Sequence, residues 1–354
     1  MKQNLIHTSK ISSNNLQKIQ SIIFARAISC LGIVVYHYFE HGKGNYKSYF
    51  RIANSNIGLM FVTVFLCISG TVHYYNYPRI NSIKRYYYKR WKSILFPYYI
   101  CIIYVYILIV TIAHKLIKIG SWKNIVFILF GLDGYLRYTY RLNVFNLEGI
   151  GEWFLGAIII IYIFYPLLVL LMDINIFIIN YIVCINYYLM YKTNIYRIII
   201  YGNIFTCLNA FYFGMIVVKY KKFFLKNVIV FIISFLLLIF LFVYKISNTF
   251  FLINQIHGFS LYIFLLRIGE FIMSKKYSQI FHIISGLSYS IFLYHHWILR
   301  NILHIKNPIE LSSHLKLLFI TIIIIIFYAK IHCIIISYVM KSKIFEILDT
   351  IFLR

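Results

Sequence analysis

Trp153-Phe-Leu-Gly-Ala-Ile-Ile-Ile-Ile-Tyr-Ile-Phe-Tyr-Pro-Leu-Leu-Val-Leu-Leu-Met172 is a run of twenty residues without one charge. About 20 mostly apolar residues suffice for a helix to cross the hydrocarbon core of a bilayer. The same signature recurs on both sides of it. Apolar runs near 22–39, 57–77 and 94–114 precede it, and runs near 174–191, 197–218, 227–247, 249–272, 282–304 and 315–340 follow. The expectation is an all-α integral membrane protein of about ten transmembrane helices in one bundle. Residues 1–21 read as a polar tail, 22–340 as the membrane domain and 341–354 as a second short tail.

Composition agrees. Hydrophobic residues make up 62% of the 354 and charged residues only 12%, against roughly 25% charged in an ordinary soluble protein. The net charge of +26 is spread between the apolar runs and forms no single patch, which argues against nucleic acid and for loops facing anionic headgroups. The six cysteines (Cys30, Cys67, Cys101, Cys184, Cys207, Cys333) lie inside apolar runs without paired spacing and read as small buried hydrophobes. The densest basic block, Arg79 to Lys92, reads as a short loop. Basic loops stay on the cytoplasmic side, so both termini are expected there, in the cell membrane.

Ionisable residues inside spans are costly and point to function. The first span carries three, in Arg26-Ala-Ile-Ser-Cys-Leu-Gly-Ile-Val-Val-Tyr-His37-Tyr-Phe-Glu40. Eleven residues at about 100° each bring His37 to within about 20° of the Arg26 direction, some 16.5 Å further along the axis. Both therefore share one helix face, and Glu40, three residues on, can hydrogen-bond the His37 ring. Snorkelling of Arg26 to the headgroups is the plainer alternative for that residue alone. In the second span, Ser69-Gly70 permits close helix packing. The segment Lys84-Arg85-Tyr-Tyr-Tyr-Lys89-Arg90-Trp91-Lys92 is either an interfacial anchor or a phosphate-binding surface. Trp153 opens a span and, alone, is a membrane-interface residue. His295-His296 sits on a late span, with no carboxylate or Cys at ligand spacing in the chain, so no metal is expected. Walker, GxSxG and dinucleotide-binding patterns are absent.

Taken in order, these pieces resemble the acyltransferase family 3 membrane enzymes. The resemblance rests on Arg26-x10-His37, on Phe65-Leu-Cys-Ile-Ser69-Gly70, and on the basic stretch reaching Arg90, Pro97 and Tyr98. It continues in Trp153-Phe154-Leu155 with Tyr162 and Pro166, and in Ser288-Tyr-Ser-Ile-Phe-Leu-Tyr-His295. Thr71 stands where the family usually has Phe. The carboxylate frequent after the Trp element is missing, with Gly156 and Ala157 there instead.

The resemblance implies transfer of an acyl group, commonly acetyl, from an acyl-coenzyme A such as acetyl-CoA to a hydroxyl of a glycan, free or lipid-linked. Arg26, with Arg85 and Arg90, would hold donor phosphate. His37 would take the hydroxyl proton as general base, with Glu40 stabilising the imidazolium. An acyl-histidine intermediate is the rival mechanism. A transporter or flippase is the alternative from another class; the small number of prolines, four, and the lack of a half-repeat speak against it.

Overall fold

The apolar runs fold as helices. Among the residues described in this computed structural model (2–42, 57–114, 122–193, 202–243, 251–273, 278–305 and 310–353) there is no strand. In chain order the helices are α1 (Lys2–His41), α2 (Ile57–Asn76), α3 (Ile83–Arg90), α4 (Phe96–Ala113), α5 (Trp122–Leu129), α6 (Asp133–Tyr138) and α7 (Glu152–Ile174). They continue as α8 (Phe177–Thr193), α9 (Ile204–Lys219), α10 (Val228–Val243), α11 (Phe251–Ile272), α12 (Ser278–Ile305), α13 (Leu311–Val339) and α14 (Lys343–Leu353). Every expected span has its helix, but length and hydropathy support fewer crossings. Among the described residues, five stretches are long and apolar enough to cross a bilayer: Gln20–His41, Ile57–Asn76, Ile83–Thr111, Glu152–Ile174 and Leu311–Val339. Phe177–Leu189, Ile204–Lys219 and Val228–Phe240 are apolar but shorter.

Polarity is arranged inside out. Large apolar side chains such as Ile163, Phe164 and Leu167 on α7, and Phe319, Ile323 and Phe327 on α13, face outward. His73, His295, His296, His314 and His332 are buried. That is the arrangement a lipid solvent favours, because lipid costs apolar surface nothing and polar groups must find partners inside.

The segment 78–93, expected as a loop, is largely helical. Helix α3 passes through a π-helical turn, Trp91–Leu95, straight into α4. Pro97 brings no N–H to the ladder, and a wide turn just before it is one way to absorb that loss. Lys84 and Arg85 of α3 are exposed, whereas Tyr86 and Tyr88 turn in and are buried. Two tyrosines of α3, Tyr86 and Tyr87, meet a need created elsewhere. Pro166 sits inside α7 and leaves the Tyr162 carbonyl without its helical donor. The Tyr86 hydroxyl donates to that carbonyl at 3.3 Å, and the Tyr87 hydroxyl to the Ile163 carbonyl at 2.6 Å.

Helix α14 lies within the segment read as the second tail and packs on α3. Lys92 Nζ and the Tyr88 hydroxyl both donate to Asp349, at 2.7 and 2.6 Å. Lys92 first, then Tyr88, hold the Asp349 carboxyl below its ordinary range. A depressed carboxylate stabilises at neutral pH, and the contribution is lost as pH falls through the folded value. For so exposed a pair it is small.

Glycine sets the closest helix crossing. A Cβ on Gly70 of α2 would overlap the Phe211 carbonyl of α9, and one on Gly214 would overlap the Cys67 carbonyl. Two backbones thus touch through glycines from both sides, the close approach that small residues permit. Thr71 Oγ1 seals the crossing by donating to the Gly214 carbonyl at 2.8 Å. Gly70→Val is expected to push α2 and α9 apart and cost about 1–3 kcal/mol or more. Gly286→Ala, whose Cβ would meet nothing within 4 Å, should leave stability unchanged. Thermal unfolding of both variants in detergent checks this; equal melting would disprove it.

Candidate active site

A cavity of about 370 Å³ opens among α1, α2, α7 and α12, with Arg90 and Ser93 from the α3–α4 junction at its edge. Its volume is that of a small-molecule pocket. Arg26, His37, Glu40, Ser69, Arg90, Trp153 and His295 all line it. Residues from five separate stretches of the chain thus converge on one space. Arg85 is exposed on α3 and does not line it. Gly70 does not line it either, because its role is the crossing with α9.

One end of the cavity is cationic and aromatic. Arg90 Nη1 donates to His73 Nε2 at 3.0 Å, and the Ser69 carbonyl lies 2.9 Å from His73 Nδ1. A guanidinium only donates and a carbonyl only accepts, so His73 is a neutral ring carrying its proton on Nδ1. The ring stacks on Tyr162 with centroids 4.1 Å apart. Arg90 also lies over the Tyr77, Tyr86 and Tyr162 rings at 5.3, 5.8 and 5.9 Å. Its guanidinium is therefore held flat and in place, with Arg26 in the same cavity. The sequence reading missed His73. Its signal was the spacing of four from Ser69, which puts both on one face of α2.

The other end is a histidine and carboxylate cluster. His37 Nδ1 is 3.1 Å from Glu40 Oε2, as the spacing of three predicted. A carboxylate accepts, so Nδ1 carries the proton and the Nε2 lone pair is left facing inward. The His296 ring lies 4.2 Å and the His295 ring 5.3 Å from the His37 ring, centre to centre. His296 Nε2 contacts Glu152 Oε1, and His296 Nδ1 is 3.3 Å from His41 Nε2. His295 Nδ1 bonds the Phe292 carbonyl at 2.7 Å.

Glu152 arrives by an irregular path. Glu148, Gly149, Gly151 and Glu152 all have positive φ, at 49°, 81°, 79° and 37°. Glycine adopts such angles freely; for the two glutamates they are strained, as residues at functional sites often are. A buried clamp holds the approach. Asp133, 1% exposed, accepts from the Tyr98 hydroxyl at 2.6 Å and the Asn146 amide at 2.7 Å, and Asn146 also donates to the Ile150 carbonyl at 2.9 Å. Burial pushes the Asp133 carboxyl above its ordinary value, while those two donors draw it back. Glu152 thus brings a carboxylate to the site although the positions after Trp153 hold Gly156 and Ala157. Those two have no room for one: Gly156 abuts Tyr135 and Ala157 is fully buried. Glu152 and His296 were missed as site residues because each is brought to His37 from a distant helix.

The arrangement suits proton removal from an alcohol at one end while anionic groups are held at the other. No curated protein and no solved structure matches the chain at a significant level. Residues 19–337 match the acyltransferase domain family that the sequence motifs resemble. That match takes in every residue lining the cavity, and the chain belongs to acyltransferase family 3, the membrane acyltransferases.

Proposed function

We propose that the chain moves an acyl group, acetyl in the first instance, from a coenzyme A thioester to a hydroxyl of a cell-surface or exported glycan, free or lipid-linked. The observation that carries this reading is the single cavity with guanidinium groups at one end and His37–Glu40 at the other. Arg26 and His37 stand some 16.5 Å apart along α1, comparable with an extended pantetheine arm. The cavity volume suits that arm and the thioester, with the nucleotide end at the arginines. In this reading Arg26 and Arg90 grip donor phosphate, and Arg90 is pre-oriented by His73 and the tyrosine rings.

The chemical step needs an activated alcohol. His37 Nε2 takes the acceptor proton as the oxygen attacks the thioester carbonyl, and Glu40 on Nδ1 stabilises the imidazolium that forms. The tetrahedral intermediate collapses by breaking the C–S bond, and the coenzyme A thiolate leaves with the proton from His37. Products are the acyl ester and free thiol. The acyl-histidine route would place the same carbonyl on His37 Nε2 first.

Radiolabelled acetyl-CoA supplied to membranes containing the chain tests this reading. Label should enter membrane glycan as base-labile ester, and membranes lacking the chain should show none. Equal incorporation with and without the chain would remove the reading.

A cytoplasmic donor requires the arginine end to face the cytoplasm, in the cell membrane, with both termini on the same side. A cysteine at Asn81, which is exposed, in a background without the six native cysteines, should resist impermeant thiol reagents applied outside intact cells and react once they are lysed. Reaction in intact cells would reverse the orientation.

A further inference from the structure

The cluster at the His37 end has the form of a metal site. One nitrogen each from His37, His295 and His296 and one oxygen from Glu152 lie within 4.8 Å of one another. A tetrahedral zinc ion has bonds of about 2.0–2.1 Å, hence ligand atoms about 3.3 Å apart. Side-chain shifts of about 1.5 Å or less would therefore close the sphere.

Two observations beyond proximity point the same way. The first is the outer partners. A metal-binding imidazole almost always has its second nitrogen held by a carboxylate, a backbone carbonyl or another polar group, which fixes the ring and its tautomer. All three rings have this: Glu40 on His37 Nδ1, the Phe292 carbonyl on His295 Nδ1, and His41 on His296 Nδ1. In each the Nδ1 is engaged, and Nε2 is the atom left for the centre. The second is an unmet group. His295 is 1% exposed and lines the cavity, and its Nε2 has no hydrogen-bond partner among the described residues. A buried nitrogen lone pair left bare is costly, and a cation answers it. The charge is also suited, since Glu40 and Glu152 bring two negative charges, opposed by Arg300 beside Gly149. The linear sequence hid this, because its argument against a metal was the lack of a carboxylate near the histidine pair, and the fold supplies Glu152 from α7.

We propose that His37, His295, His296 and Glu152 bind a divalent ion of the zinc class, and that its binding inhibits acyl transfer by occupying the His37 Nε2 lone pair. Three imidazoles and a carboxylate form a borderline nitrogen–oxygen set that suits zinc and cobalt and not calcium or magnesium. The inhibitory half rests on the reading of His37 as the base; the binding half does not.

The test uses the full-length protein in detergent, stripped with a chelator and then titrated with Zn²⁺ or Co²⁺. Elemental analysis after desalting should find one zinc per chain, and Co²⁺ should give the intense visible absorption of a tetrahedral site. His295→Gln and His296→Gln should each weaken binding at least tenfold, and acetyl transfer by the wild type should fall in step with zinc occupancy and return with chelator. Failure of the wild type to retain an ion, or unchanged affinity in both variants, would overturn the site. Transfer that rises with bound zinc would overturn the inhibitory role. Zinc bound as described in a protein whose stripped form transfers nothing from acetyl-CoA would uphold the site and remove the functional reading instead.

Discussion

His37→Ala is expected to abolish acyl transfer, with a loss of about 10²–10⁴-fold, the usual contribution of a general base. The protein should still insert and still bind donor, because the ring acts on the acceptor proton and not on the donor phosphates. Glu40→Gln should give a smaller loss. The amide still meets Nδ1 at the position now held at 3.1 Å, but it lacks the charge that stabilises imidazolium. The measurement is incorporation of radiolabelled acetyl into membrane glycan at matched expression. Full activity in His37→Ala would rule out both the general-base and the acyl-histidine mechanisms.

Arg90→Ala should raise the donor KM by about 10–100-fold, the worth of a charge-assisted hydrogen bond or two, with a much smaller change in kcat. Arg85→Ala should change neither, since Arg85 stands outside the cavity on the exposed side of α3. The pair separates phosphate binding from a general effect of basic charge at the membrane surface. Arg26→Lys should also impair donor binding, because a point charge replaces a planar fork able to grip two oxygens. Equal donor KM in wild type and Arg90→Ala would leave α3 as a membrane anchor alone.

What the sequence disclosed here was periodic or compositional. Apolar runs revealed every long helix, and the 3.6-residue repeat alone aligned Arg26 with His37 and set Glu40 against its ring. Ser69-Gly70 was readable as a packing element, though its partner Gly214 was not, because a crossing needs two helices and the chain shows one at a time. Charge misled at 78–93. Six Lys and Arg in a short stretch looked like a loop, whereas most of it is helix, with Lys84 and Arg85 on the outer face, Arg90 turned into the cavity, and tyrosines that brace the broken ladder at Pro166. Arg85 and Arg90 looked equivalent, and only their angle around that helix distinguishes them. His295 had a plain interfacial explanation until α1 and α7 were packed beside it. Glu152 was beyond any periodic rule, because a left-handed turn delivers it.

That turn has an evolutionary consequence. The clamp fixing it is short in sequence, running from Asp133 through Asn146 to Ile150, and it closes just before Glu152. From upstream, α4 joins it through the Tyr98 hydroxyl on the Asp133 carboxylate. A change at Tyr98, Asp133 or Asn146 therefore reaches Glu152 through the backbone at Ile150, so these positions are expected to vary together as the sequence diverges.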